Sequence, residues 1–498
     1  MRRLTPQVVS RPPVDLKLSN YAPTASPYTG IVHLGVGAFH RAHQAVYTDT
    51  ILAIEDGNWQ ITGASLRSDQ VQQQLSPQNC LFTVVEKDNQ KQRYRLVQSI
   101  ARIIVAPHEP LQLIEAMAAD ACKIIGLTIT EKGYCHNPAT GKLNRQHPDI
   151  VHDLEHPSTP LSAPGFITAA LLQRYHNNAQ GVSILSCDNI PANGKLTRQL
   201  ILEFASELDA GLATWIDEHV SFPCTMVDRI VPATTEADRI NLEKVLGYRD
   251  DAMVCSEPFS QWIIEDDFAQ GRPAWEKAGA VFVDDVHNFE TMKLRLLNGS
   301  HSAMAYLGYL AGHDYIHQVV GDSVFLQFIR FLMDEEITPT LSVPAQIDLE
   351  TYKCELLQRF ANSALKHRTQ QIAMDGSQKI PQRLLQAISH QIKHGGSIAA
   401  LSLAVAGWIR YSRGIDESGT PYEILDPLSE KLHALYAESG ATTDTLVRAI
   451  LAVPEIFPRQ LGENQAFYEK VNFYLGELNE HGSKLSVERF LEARKDQP

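Results

Sequence analysis

Residues 31–42 restrict the folds open to this chain more than any other stretch. Ile31-Val32-His33-Leu34 is a short apolar run that reads as a buried strand, Gly35-Val36-Gly37 follows at once, and Ala38-Phe39-His40 lead into a helix expected from about Arg41 to Ile54. Strand, glycine turn and helix open a dinucleotide-binding unit. The glycines let the backbone turn tightly and approach a pyrophosphate at the helix N-terminus. Gly35, Val36, Gly37, Ala38 and Phe39 are therefore the expected cofactor contacts. The third position of the fingerprint is His40 instead of glycine, so the match is partial.

The next strand is expected at Gln60–Leu66, and in such a unit its end meets the adenosine ribose. An acidic residue there favours NAD, and an arginine accommodates the 2′-phosphate of NADP. Arg67-Ser68-Asp69 carries both. Asp69 favours NAD, and NADP stays open because of Arg67. Strands then alternate with helices: Leu81–Glu86, Ile103–Val105, a helix over Pro110–Ala119, Ile124–Thr130 ending in Glu131, and Val182–Cys187 ending in Asp188-Asn189. This alternation predicts a largely parallel sheet, with ligands at the carboxyl ends of its strands. Thr130, Glu131 and Asn189 fall there, although polar residues are common in such loops. Residues 222–232 read as a further strand interrupted by Asp228-Arg229, which is either a buried ion pair or part of a site.

From about Phe289 the strand signals give way to helical periodicity, as at Ser323–Met333, Leu384–Lys393, Ser397–Arg410 and Leu428–Glu438. The reading is α/β: a Rossmann-type unit with additions over residues 1–286, then a mostly α-helical domain over 287–498, with an active site in the cleft between. A chain of 498 residues is too long for one core. Its net charge of −14 argues against nucleic acid or an anionic membrane as partner. The seven cysteines are scattered without C-x-x-C spacing, which predicts reduced thiols and no metal. Met1–Asn20 lacks the apolar core of a signal peptide, and the longest apolar run, Ile398–Ile409, is too short to span a bilayer. A cytoplasmic monomer acting on a small molecule is expected.

The chemistry concentrates in Asn288–His301. Apolar residues at Phe289, Met292, Leu296, Leu297, Ala303 and Leu307 give a helical period, with Asn288 as N-cap. At about 100° per residue, Asn298 lies roughly 140° and His301 roughly 80° from Lys293, and Glu290 about 60°. One flank thus carries Lys, Asn, His and Glu. A polar flank is ordinarily a solvated face, but Asn and His are poor helix formers there. Gly299, costly in mid-helix, suggests the close approach of a ligand. A second polar cluster runs from His367-Arg368-Thr369 to Lys379.

No Tyr has a Lys four residues on, and neither H-E-x-x-H nor G-x-S-x-G occurs. Without zinc or tyrosine, a lysine can take the alcohol proton if burial or neighbouring cations lower its pKa, and asparagine amides can hold the alkoxide. Lys293-x4-Asn298-x2-His301, Phe222–Pro232 with Asp228-Arg229, and Gly35-x-Gly37-x-Phe39-His40-Arg41-Ala42-His43 together resemble the polyol-specific long-chain dehydrogenases, the zinc-independent mannitol dehydrogenase family. Thr130–Cys135, Glu257–Glu265, Leu297–His301 and Gln371–Leu385 look most like its fructuronate reductase branch, which interconverts D-mannonate and D-fructuronate. The resemblance implies Lys293 as general acid/base, Asn189 and Asn298 as oxyanion-hole amides and His301 as a ligand of the reacting oxygen. It implies Asp228 and Lys379 as substrate-hydroxyl contacts, and Glu290 as a proton path to solvent. Gln371 stands where the mannitol enzymes carry an arginine. The alternatives are a mannitol or arabinitol 2-dehydrogenase, a tagaturonate reductase, or a nucleotide-binding sensor. A sugar acid needs a local cation, and Arg368, assisted by Lys379 and with Arg383 nearby, is the expected one.

Overall fold

Five strands form the central sheet of the N-terminal unit: β1 (Ile31–Leu34), β2 (Ile61–Ser65), β3 (Ile100–Val105), β4 (Ile124–Leu127) and β5 (Ser183–Ser186). In this computed structural model, which describes residues 3–6, 16–21, 26, 28–137, 140–438 and 442–495, their order is β3-β2-β1-β4-β5 and every neighbouring pair is parallel. Most of Met1–Asn20, read above for a signal peptide, lies outside the described residues. Alternation along the strands builds both faces of the sheet. Val32, Leu34, Ile125 and Leu127 enter the core shared with Leu113, Phe166 and Phe204 of the helices Pro110–Ala118, Ala163–His176 and Asn193–Leu208. Ile31 and Ile124 face the other way, with Val46, Trp262 and Trp275. The order reverses at β1, so the ligand crevice of such a sheet opens at the carboxyl ends of β1 and β4.

The missing third glycine has a structural answer. His40 is fully buried and stacks on His33 of β1, ring centroids 3.6 Å apart. The glycine that makes room is Gly126 of β4, where a Cβ would overlap the His33 ring. Burial holds both rings neutral, His33 pushed down to about 3 and His40 well below the usual imidazole range. The unfolded chain binds protons near pH 6.5 that the folded unit refuses. Their contribution is therefore complete above pH 6.5 and is lost as the pH falls towards the folded values. Half-buried Asp188 and buried Asp250, raised by desolvation, act the other way at the acid end. The readout is accordingly a difference: calorimetric Tm falls between pH 6.5 and 4, and falls less in His40→Phe. Equal slopes in the two proteins contradict this account.

Two smaller sheets flank the first. Phe82–Lys87 does not join the parallel sheet, as its place in the alternation predicts, but pairs antiparallel with Gln92–Val97 in a sheet that also holds Leu16–Leu18 and Val254–Ser256. The connection from Asp88 to Lys91 is too short for a crossover, and the Asp88 carboxylate closes it by accepting from the Gln90 and Lys91 amides at 2.7 and 2.8 Å. Of residues 222–232 only Thr225–Asp228 is strand, antiparallel to Gln261–Glu265.

The chain divides at His287/Asn288, and helices carry the described residues of the C-terminal unit. The predicted helices end within a few residues of those observed, at Ser323–Phe331, Gln386–His394, Ala399–Tyr411 and Ser429–Glu438. Ala399–Tyr411 is buried along its whole length between Ser300–Leu310 and Gln465–Lys495, which explains the longest apolar run of the chain. Among the described residues no helix is long and apolar enough to cross a membrane.

Candidate active site

Gly35 and Gly37 do different work. Gly35 has φ 91°, and a Cβ there would overlap the Thr128 carbonyl, so the turn itself needs glycine. Gly37 begins the helix Ala38–Ala42, and a Cβ on it would point into open space. Val36 is buried, while Ala38 and Phe39 are half-buried beside the turn. At the end of β2, exposed Arg67 pairs with Asp149 at 2.7 Å, and Asp69 accepts from Gln73 at 2.7 Å. Asp149, His147 and Cys135 offer ligand atoms within 4.8 Å of one another, yet the Asp149 carboxylate is engaged by Arg67 and His147 Nδ1 by the Asp149 amide.

β4 ends at Leu127, three residues before the expected Thr130. Thr130, exposed with φ 64°, and half-buried Glu131 lie on a turn beyond it. This turn is held by Asp188, a residue the sequence reading left without a role. Its carboxylate accepts from the Ile129 and Thr130 amides at 3.0 and 2.9 Å and from the Tyr134 hydroxyl at 2.9 Å. Burial raises its pKa. Asp188 thus ties the loop after β4 to the loop after β5, where Asn189 is exposed.

The Asp228-Arg229 pair separates into two functions. Arg229 pairs with Glu86 at 2.7 Å and donates to the carbonyls of Glu257 (Nε, 3.0 Å) and Ala42 (2.5 Å), so it is a clamp between segments. Asp228 is buried at the end of its strand, opposite Gln261.

In the C-terminal unit the chemical stretch is not one α-helix. The helix runs over His287–Met292, and Asp285, not Asn288, accepts from its first amide at 2.9 Å. Lys293–Gly299 then forms a π-turn, and Ser300–Leu310 resumes as α-helix. Hydrogen bonding from i to i+5 widens that turn, so residues five apart come closer in angle than the about 140° of an α-helix. Lys293 and Asn298 are such a pair. Gly299 serves packing: a Cβ on it would sit 3.0 Å from the Arg383 carbonyl of a second π-turn, Pro381–Leu385.

Lys293, Asn298, His301 and Glu290 are all buried, Lys293 at 4% exposure. The His301 ring lies 4.5 Å from Phe360 and 5.3 Å from His367. Its Nε2 and the Asn298 Nδ2 have no hydrogen-bond partner among the described residues, so each is open to a ligand atom or an ordered water. His301 is held neutral, chiefly by burial, then by the adjoining His367 and the charges of Arg383, Arg359 and Lys293. Arg383 also donates to Ser302 Oγ at 3.3 Å. Half-buried Lys379 donates to the carbonyls of Met374 (2.5 Å) and Ile372 (3.3 Å). Arg368 does not fit its expectation. It is exposed, extended at ψ 135°, ahead of the short helix Thr369–Ala373, with its guanidinium 6.0 Å over the Tyr315 ring. His367 and Arg383, drawn to His301 by tertiary packing, carried no local signal beyond their place in the second polar cluster.

Residues 29–277 match the family model of the mannitol dehydrogenase Rossmann domain, and residues 285–479 that of the mannitol dehydrogenase C-terminal domain. The uncharacterized oxidoreductase YeiQ of Escherichia coli K12 is 46% identical, over 89% of this chain and 90% of its own length. D-mannonate oxidoreductase of the same organism is 43% identical, over 92% of this chain and 94% of its own. The Pseudomonas fluorescens mannitol 2-dehydrogenase, solved as a ternary complex with NAD and D-mannitol, aligns with a TM-score of 0.93 at 39% identity, covering 98% of this chain and 99% of that one.

Proposed function

Since the chain belongs to the mannitol dehydrogenase family, we propose that it is an NAD-dependent oxidoreductase that interconverts D-mannonate and D-fructuronate. Identity alone does not choose between substrates, because D-mannonate oxidoreductase and mannitol dehydrogenases are similar to it at 43% and 39%. The observation that carries the choice is charge. The chain has a net charge of −14, yet Lys293, Arg359 and Arg383 all act on His301 with positive charge. Such a local reversal suits an anionic substrate.

The turn Gly35–Phe39 fits a dinucleotide, with the open side of Gly37 towards the approaching phosphates. NAD bound there supplies the hydride acceptor in one direction and the donor in the other. Asp69 suits the ribose hydroxyls, and Arg67 is engaged by Asp149. The efficiency with NADPH should therefore not exceed that with NADH. Gly37→Val should weaken NADH binding by at least about tenfold, roughly 1.4 kcal/mol, and leave Tm nearly unchanged. Loss of Tm with unchanged affinity contradicts that role.

Lys293 takes the alcohol proton in oxidation and returns it in reduction. The amides of Asn189 and Asn298 and the ring of neutral His301 hold the reacting oxygen, where charge develops. Glu290 passes the lysine proton to solvent. Asp228 and Lys379 bind substrate hydroxyls. Arg383 replaces exposed Arg368 as the reader of the carboxylate. Arg383→Gln should lower kcat/KM for D-fructuronate on the order of 10–10²-fold, the scale of a charged hydrogen bond, and that for D-fructose far less. Arg368→Ala should change both little. Equal losses on the two substrates in Arg383→Gln sink this assignment.

Initial rates of NADH oxidation with D-fructuronate test the reading. Steady turnover is expected. A chain that binds NADH but reduces no sugar acid or ketose is a sensor.

A further inference from the structure

His367 is held in place by its backbone. Its carbonyl accepts from the Ile316 amide at 3.0 Å, and the Thr369 amide donates to Asp314 at 3.0 Å, so both flanks of the residue are pinned to the segment that follows helix Ser300–Leu310. Lys366, immediately before it, has φ 48°, a conformation that costs a side chain about 1 kcal/mol or more and persists where the surroundings impose it. The product of this scaffolding is an imidazole set edge-to-face against His301, at 5.3 Å and 87°. Phe360 occupies a further place against His301, at 4.5 Å. The Nδ1 of His367 is buried without a hydrogen-bond partner among the described residues. Burial, then the charge of Lys379, pushes its pKa down to about 4, so the ring is neutral at pH 7.

Asn298, His301 and His367 each carry a buried nitrogen with no hydrogen-bond partner among the described residues, a property they share with other side chains of the C-terminal unit. The first two have roles in holding the reacting oxygen, and the third has none. A neutral imidazole offers one N–H donor and one lone pair. That complement suits a hydroxyl, which both gives and takes a hydrogen bond, better than a carboxylate, which only accepts. The charge of Lys379, a proposed hydroxyl contact, is felt at His367.

We propose that His367 is a substrate-binding residue that hydrogen-bonds a hydroxyl of the polyhydroxy chain neighbouring the oxygen held by His301. The inference rests on the dehydrogenase reading, but the hydroxyl is common to sugar acids and ketoses.

The test compares wild type, His367→Phe and His367→Gln on D-fructuronate and on D-fructose, with NADH affinity and Tm measured alongside. Phenylalanine keeps the ring and removes its nitrogens, and glutamine restores a donor and an acceptor. His367→Phe should raise KM by about 10–10²-fold, the scale of one unsatisfied polar group. It should change kcat little, as loss of a contact common to ground and transition states does, and leave Tm and NADH affinity close to wild type. His367→Gln should recover part of the loss. Unchanged KM in His367→Phe, or equal loss in both variants accompanied by a fall in Tm, overturns the inference. Turnover of D-fructose without D-fructuronate overturns the sugar-acid reading alone, and the inference is then read on the ketose. No turnover of either substrate overturns both.

Discussion

Lys293→Ala lowers turnover by at least the roughly 10²–10⁴-fold that general acid–base catalysis contributes, and leaves NADH affinity near that of the wild type. Lys293 opens the π-turn that carries Asn298, and its charge reaches His301. Burial and neighbouring cations are the two conditions under which a lysine serves as a base near neutral pH. Lys293 is 4% exposed and shares the surroundings of His301 with Arg359 and Arg383. The dinucleotide turn belongs to the other unit and is built on Gly35 and Gly37, so cofactor affinity should survive the change. Lys293→Met, which keeps the bulk of the side chain, should show the same loss. Near-wild-type turnover in either variant, measured with a correctly folded protein, contradicts the mechanism.

Arg229→Leu destabilises the N-terminal unit by about 3–5 kcal/mol, the scale for breaking a buried ion pair from one side, which lowers Tm by roughly 10 °C. The change strands the Glu86 carboxylate and the carbonyls of Glu257 and Ala42, all of which the guanidinium serves. Ala42 ends the helix that follows Gly37, so NADH affinity should fall along with stability. Its neighbour behaves differently: Asp228→Asn should keep Tm and lose kcat/KM. Thermal unfolding of the two variants side by side decides. If Arg229→Leu melts with the wild type, the guanidinium is not a clamp.

The residues whose roles were legible in the sequence are those whose partners are close along the chain. The strand, glycine turn and helix at Ile31–Ala42 declare themselves locally, and so do the long amphipathic helices beyond Phe289. What escaped depends on packing. The reading at about 100° per residue put Lys293 and Asn298 on a common flank but well apart, because no sequence rule announces a π-turn. Gly299 suggested a ligand, yet its neighbour is the Arg383 backbone, 84 residues away in the chain. Arg368 fitted a helix that begins only at Thr369. Asp188 has no role in the sequence reading because the amides it holds belong to Ile129 and Thr130. The hairpin at Phe82–Val97 was missed because its first strand resembles the parallel strands around it.

The central claim is that this family scaffold acts here on an anion. The ratio of kcat/KM for D-fructuronate to that for D-fructose, measured with NADH at one pH and low ionic strength, tests it most directly. The cations around His301 predict a ratio of at least about 10², which corresponds to roughly 2.7 kcal/mol. It should shrink as added salt screens them. A ratio at or below one contradicts the account and identifies a ketose reductase.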